Sequence, residues 1–278
     1  MDRRNIVITG LGRSGTTLTC HLLNKLPNTV ALSEPISPGR FAEHLPDHEA
    51  VCDGIERYYR RTRRLALNEG VVTSKHVDGV VPDNTKGMVN GVRRRIAEKG
   101  RIRVDKPLEP GFRLAIKDVG MFTALLPTLA KRFPCYAMVR NPLAVWASAQ
   151  SLQDDRKGNG PPAIVRYDPG TFGRVTKIED RVERSLFRLH LFFERYLHVL
   201  PKEHVLRYED LISSGGKSLQ VIVPAAEQLD EHLESKNVNP LYESSGILRL
   251  GERLLESEGA YWELYSRQDV EELLKQYL

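Results

Sequence analysis

Cysteine is scarce in this chain of 278 residues: Cys20, Cys52 and Cys135 are the three present. They are widely spaced, odd in number and form no C-x-x-C pair. That excludes a disulfide framework and a structural zinc site, and predicts three buried thiols. No stretch approaches the roughly eighteen continuous apolar residues of a membrane span, so no membrane partner is expected. The first residues run from Met1-Asp-Arg-Arg almost directly into a β-branched run and a glycine turn. They leave no space for the apolar core of a signal peptide, and a cytoplasmic location is the expectation. Internal repeats, low-complexity tracts and a clear interdomain linker are also missing, so residues 1–278 are read as a single domain. A metal site is not expected either. His44 and His48 are four apart, but Pro46 between them breaks any shared helix face.

Acidic residues are slightly outnumbered, 36 against 41 basic ones, for a net charge of +5. The excess gathers in two runs, one from Arg57 to Arg64 and one from Arg93 to Lys106. Such runs are ordinarily solvated helix faces, with an anion-binding surface as the sharper alternative. No helix-turn-helix, zinc-finger or RNA-binding signature accompanies them, and nucleic acid is not expected as a partner.

Asn5-Ile-Val-Ile-Thr9 is a short apolar run, closed by Gly10-Leu-Gly-Arg-Ser-Gly15 and followed by a helical pattern from Thr16 to Leu26. Further strands are expected over 112–116, 135–139 and 204–208. Helices are expected over 121–132, interrupted or begun at Pro127, over 142–151, and over the amphipathic stretch 178–200. The alternation predicts an α/β fold with a parallel sheet of about five strands flanked by helices. Residues 40–106 break the rhythm with mixed basic helices and turns, and are read as an insertion over the functional edge of the sheet, where such segments often select the substrate. The aromatic, charged end from Ala260 to Leu278 reads as a covering helix.

A glycine loop between a strand and a helix offers backbone N–H groups and the positive end of a helix dipole to an anion. Gly10 and Gly15 have the spacing of the G-x-x-x-x-G-K-[ST] nucleotide loop, but Thr16 stands where that loop needs Lys. A nucleoside triphosphate with Mg²⁺ is therefore disfavoured, and a P-loop kinase is the rival enzyme class. Arg140-Asn-Pro-Leu-Ala-Val-Trp-Ala-Ser148 adds a guanidinium fork suited to phosphate, with Asn141 as a helix cap and Pro142 in its first turn.

Arg13-Ser-Gly-Thr-Thr17 after the first strand resembles the 5'-phosphosulfate loop of sulfotransferases that use 3'-phosphoadenosine-5'-phosphosulfate (PAPS). Arg140 to Ser148 resembles the family's 3'-phosphate segment, and Leu206-Arg-Tyr-Glu-Asp-Leu211 its late R-Y-E-D-L segment. The three occur in the family's order and cover about residues 5–211. The resemblance implies a P-loop-like sulfotransferase fold and PAPS as donor, with PAP as product and no metal required. Gly12, Arg13, Ser14, Gly15, Thr16, Thr17, Arg140, Ser148 and Tyr208 would hold the donor.

Cytosolic members place a Lys in the loop and a His in a K-T-H segment, which this chain lacks. It is closer to the branch of tyrosylprotein and bacterial small-molecule enzymes. There Glu34 corresponds to the general base and Lys117 to the cation on the leaving group, although Val119 stands where that branch has Pro. Asp118 is the rival base. Arg156-Lys157-Gly158 and the 170–177 segment only approximate other family motifs, and neither is counted in the site. The acceptor is expected to be a small molecule, with glycan and protein acceptors as alternatives. A PAP-binding module without activity is the non-enzymatic one. Oligomeric state cannot be read from the sequence.

Overall fold

A computed structural model describes residues 3–89, 92–151, 162–242 and 244–277. Its centre is a sheet of five parallel strands: β1 (Asn5–Gly10), β2 (Thr29–Ser33), β7 (Arg113–Lys117), β8 (Cys135–Val139) and β9 (Val205–Arg207). Their order across the sheet is β2-β7-β1-β8-β9. All six residues of β1 are buried, as a strand covered on both faces requires, and it pairs with β7 on one side and β8 on the other.

Helix α1 (Thr16–Leu23) leads to the edge strand β2, whereas β8 and β9 build outward on the opposite side. The crevice at the carboxyl ends of the strands therefore opens where the connections diverge, the usual binding position in such sheets. Expected strands 112–116, 135–139 and 204–208 are present within a residue or two. The additional strand β2 lies in a stretch the pattern left unassigned, and α1 ends at Leu23 instead of Leu26.

The segment between β2 and β7 differs from its expected helices and turns. It holds α2 (His48–Glu69) followed by four strands, β3 (Val71–His76), β4 (Lys86–Val89), β5 (Val92–Arg95) and β6 (Glu98–Arg103). These pair as two antiparallel ribbons, β3 with β6 and β4 with β5. The basic run Arg93–Arg95 thus belongs to a ribbon, where alternating or exposed charges suit a strand with one solvated face. Asp47 caps α2 by accepting from Glu49 and Ala50 amides, and Gly70 ends it in the left-handed conformation. Buried Val51, Ile55, Tyr59, Thr62 and Ala66 recur at helical spacing. The Tyr59 hydroxyl donates to the Ile6 carbonyl at 2.7 Å, fastening α2 across β1. His48 begins α2 and bonds the Tyr167 carbonyl at 2.8 Å, apart from His44 in a short 3₁₀ turn.

After β7 come two short helices, α3 (Met121–Ala124) and α4 (Leu126–Leu129), broken before Pro127 as expected. Then follow α5 (Pro142–Gln150), α6 (Pro162–Tyr167), α7 (Pro169–Phe172) and the amphipathic α8 (Arg181–Val199), whose hydrophobic side joins the core and packs against α3 and α4. Beyond β9 are α9 (Tyr208–Ser213), α10 (Ser244–Glu256) and α11 (Arg267–Lys275). The expected terminal helix is in fact a 3₁₀ turn at Ala260–Glu263 plus α11, which packs with α10 against α5. Cys20, Cys52 and Cys135 are all buried free thiols. Among the described residues no helix is long and apolar enough to cross a membrane.

Candidate functional site

Because the five strands are parallel, their carboxyl ends share one edge of the sheet, and every strand delivers a candidate residue to it. Strand β1 runs into the glycine loop, β2 into Glu34, β7 ends on Lys117 and continues to Asp118, β8 leads to Arg140, and β9 to Tyr208. Sequence positions nearly two hundred residues apart, from Gly10 to Tyr208, are thereby gathered along a single line.

The loop Gly10-Leu-Gly-Arg-Ser-Gly15 is pinned by the Leu11 amide donating to the Met138 carbonyl at 3.0 Å. Gly15 takes a left-handed φ of 78°, and a Cβ there would come within 2.8 Å of the Tyr208 ring, so only glycine fits. No side chain caps α1. The first-turn amides of Thr16, Thr17 and Leu18, which a helix cannot satisfy internally, therefore face the loop with the helix dipole behind them. Ser14 Oγ is fully buried with no hydrogen-bond partner among the described residues. A buried hydroxyl left in that state is costly unless a ligand meets it, and it sits inside the glycine turn that opens α1. Thr16 is buried, Thr17 half-buried and Gly12 exposed, with nothing within 4 Å of where its Cβ would stand.

The second segment closes on the first. Arg13 Nε donates to Ser148 Oγ at 3.0 Å, and Arg140 donates to the Arg13 carbonyl at 2.8 Å. Arg140 is buried, with its guanidinium 4.5 Å from the centre of the Tyr208 ring. Asn141 caps α5 through Leu143 and Ala144 amides, with Pro142 at its first turn, as expected. All nine positions expected to hold a donor thus lie on the loop, on α1 or on the two segments packed against it. A contribution that sequence reasoning missed comes from the chain after α9. Arg140 also donates to Asn237 Oδ1 at 2.7 Å and to the Lys236 carbonyl, while the Lys236 amide donates to the Tyr208 hydroxyl at 3.0 Å. Glu209 holds that segment by accepting from Asn237 Nδ2 at 2.9 Å and from the Tyr265 hydroxyl at 2.7 Å. No motif marks Lys236 or Asn237, and only the fold brings them to Arg140.

Across the loop, Glu34 receives Lys117 Nζ at 2.8 Å on one carboxylate oxygen and Lys75 Nζ on the other. Burial alone would push the Glu34 carboxyl up, but the charges and hydrogen bonds of Lys117 and Lys75 outweigh it and hold it well below the usual carboxylate range. For Lys117 burial opposes the charged form, and Glu34 reverses that and leaves its ammonium pKa raised. Asp118 is oriented differently. Its Oδ1 accepts from the amides of Gly120 at 2.9 Å and Met121 at 2.7 Å. Burial, then the negative charge of Glu34, push its carboxyl up to about 6, against those two amides and Lys117.

Glu34 is also unusual in its backbone, with a φ of 45°. Among the described residues four non-glycine positions have positive φ: Arg13, Asn28, Glu34 and Asp78. Asn and Asp tolerate this conformation, whereas Arg and Glu rarely adopt it. The two atypical cases are both candidate site residues, and strain concentrated in this way is common where side chains are aimed for function.

Arg156, Lys157 and Gly158 lie outside the described residues. No group of three or more His, Cys, Asp or Glu side chains able to hold a metal occurs among the described residues. No protein-family model matches the chain, and no curated protein is significantly similar to it.

Proposed function

We propose that this protein is a sulfotransferase that moves the sulfuryl group of PAPS to a hydroxyl or amine of a small-molecule acceptor. The observation that carries the reading is the convergence of three separate segments. The uncapped glycine loop with its orphaned Ser14 hydroxyl is joined to the Arg140–Ser148 helix entry by the Arg13–Ser148 and Arg140–Arg13 hydrogen bonds, and Tyr208 lies against the Arg140 guanidinium. A donor with phosphate groups at both ends of an adenosine needs two anion subsites of this kind, one at a helix N-terminus and one at a guanidinium. Thr16 in the place of the phosphate-reaching Lys weighs against a nucleoside triphosphate.

In-line transfer forms a bond from the acceptor oxygen or nitrogen to sulfur as the bond from sulfur to the bridging phosphate oxygen breaks. The acceptor's proton goes to Glu34, and the charge that develops on the departing phosphate is met by Lys117 and the loop amides. While both lysines hold Glu34 it is ionised but weakly basic. A phosphate that draws Lys117 away would remove one of those contacts and raise its basicity. Asp118, with an oxygen committed to two backbone amides, is the less accessible base. PAP should stabilise the fold without Mg²⁺, by about 2.7 kcal/mol at a hundredfold excess over Kd. Thermal unfolding with and without PAP measures this, and no shift in either the presence or absence of Mg²⁺ would remove the donor from the proposal.

A further inference from the structure

Positive charge on the β3/β6 ribbon exceeds what the proposed chemistry uses. Lys75 and Lys99 are direct cross-strand partners, so their side chains share one face of the ribbon. Lys75 reaches Glu34, and Lys99 Nζ donates to Ser37 Oγ at 3.1 Å, three residues further along the same segment. Arg40 is exposed, with its guanidinium 5.1 Å from the Tyr58 ring centre. Burial first, and then the neighbouring charges of Lys75 and Arg40, depress the Lys99 ammonium pKa. Neither Lys99 nor Arg40 is in ion-pair contact with a carboxylate among the described residues. Lys117 and Lys75 thus pair with Glu34, Lys99 lies within electrostatic reach of Glu34 and Asp118, and Arg40 within reach of Lys99. Like charges placed directly opposite on a ladder are unfavourable in a free protein. An anion arriving between them would relieve that repulsion.

We infer, resting on the sulfuryl-transfer reading above, that the acceptor is a small hydroxylated or amino compound bearing its own carboxylate or phosphate. Lys99 and Arg40 hold that anionic group while the nucleophile lies beside Glu34. The insertion thereby selects the acceptor by charge: a neutral analogue leaves Lys99 and Arg40 unpaired, whereas the acid form neutralises them and fixes the distance from anion to nucleophile.

The test is ligand-observed NMR on the full chain with PAP present, using matched pairs such as 4-hydroxyphenylacetate and its methyl ester, or glucose 6-phosphate and glucose. At least one acid should bind tenfold or more tightly than its neutral partner, and the Arg40→Ala/Lys99→Ala variant should lose that preference while its PAP affinity stays unchanged. The carboxylate and phosphate pairs distinguish the two anion types. The inference is overturned if no pair shows the preference, if the preference survives the double variant, or if an acidic tyrosine peptide outcompetes every small acid. A separate PAP titration keeps the two readings apart. Absent PAP binding defeats the donor assignment, while the acid preference of the ribbon is still scored without nucleotide.

Discussion

Replacing Asp118 with Asn should make the protein more resistant to unfolding at neutral pH and leave it nearly unchanged near pH 4. The carboxyl is 7% exposed and its pKa is raised from an ordinary 3.8 to about 6. A carboxyl with a raised folded pKa holds its proton more tightly in the folded state. Its contribution is therefore favourable below the unfolded value, and is lost as pH rises through the folded one. Each pH unit between the two is worth about 1.4 kcal/mol, so the ionised group costs at most about 3 kcal/mol. Roughly 2 kcal/mol of that is lost between about pH 4.5 and pH 7.5.

Asn keeps an oxygen where Asp118 Oδ1 accepts from Gly120 and Met121, so the turn into α3 retains its bonds while the buried charge disappears. Urea unfolding of both proteins at about pH 4.5 and pH 7.5 measures the difference, with the variant's advantage expected to grow from roughly 1 kcal/mol at the lower pH to about 3 kcal/mol at the higher. If Asp118→Asn instead loses about 1 kcal/mol or more at both pH values, the ionised carboxylate is a net stabiliser and the repulsion from Glu34 has been overstated. The same variant bears on the chemistry: near-normal sulfuryl transfer by Asp118→Asn leaves Glu34 as the base.

Glu34→Gln should lower kcat about 10² to 10⁴-fold with PAP affinity nearly unchanged, a split read from turnover alongside a PAP titration. Retained turnover would move the base to Asp118. Arg140→Ala and Ser148→Ala should weaken PAP more than adenosine 5'-phosphosulfate, which lacks the 3'-phosphate, and calorimetry showing equal losses for both would make their role structural. Gly15→Ala should destabilise the fold by about 1 to 3 kcal/mol through its left-handed backbone, with further loss from its clash with Tyr208 and abolished PAP binding. Unchanged thermal stability would mean the loop re-forms without that contact.

The parallel sheet was legible because its strands are buried on both faces and read as continuous apolar runs, as in Ile6–Ile8 and Cys135–Val139. Strand β2 was not. Its five residues follow α1 after only a short turn at Asn28, which has a φ of 48°, and nothing in Thr29-Val-Ala-Leu-Ser separates an edge strand from the end of a helix. The β3/β6 and β4/β5 ribbons escaped for a different reason. Arg94 and Arg95 are exposed, and a run of arginines carries no period by which a ribbon can be told from a helix face.

At the candidate site, the residues legible in the sequence are those whose chemistry is local: a glycine loop opening a helix, an Arg before a capped helix, a Tyr after a strand. Lys75, Lys236 and Asn237 have no such local mark. Lys75 stands in a strand alternating half-buried and buried residues, and its sequence neighbours do not reveal that its outward face meets Glu34 across the gap between β2 and the ribbon. Its consequence is chemical nonetheless. With Lys117 alone, donor binding could leave Glu34 unpaired and strongly basic. In the proposed reaction, with Lys75 retained, the carboxylate would keep one cation and stay ionised when Lys117 turns to the departing phosphate. Lys75→Met should therefore shift the acidic limb of the kcat–pH profile to higher pH, because Glu34 loses the charge that holds its pKa down, whereas a purely structural Lys75 would change the amplitude of that profile and not its position.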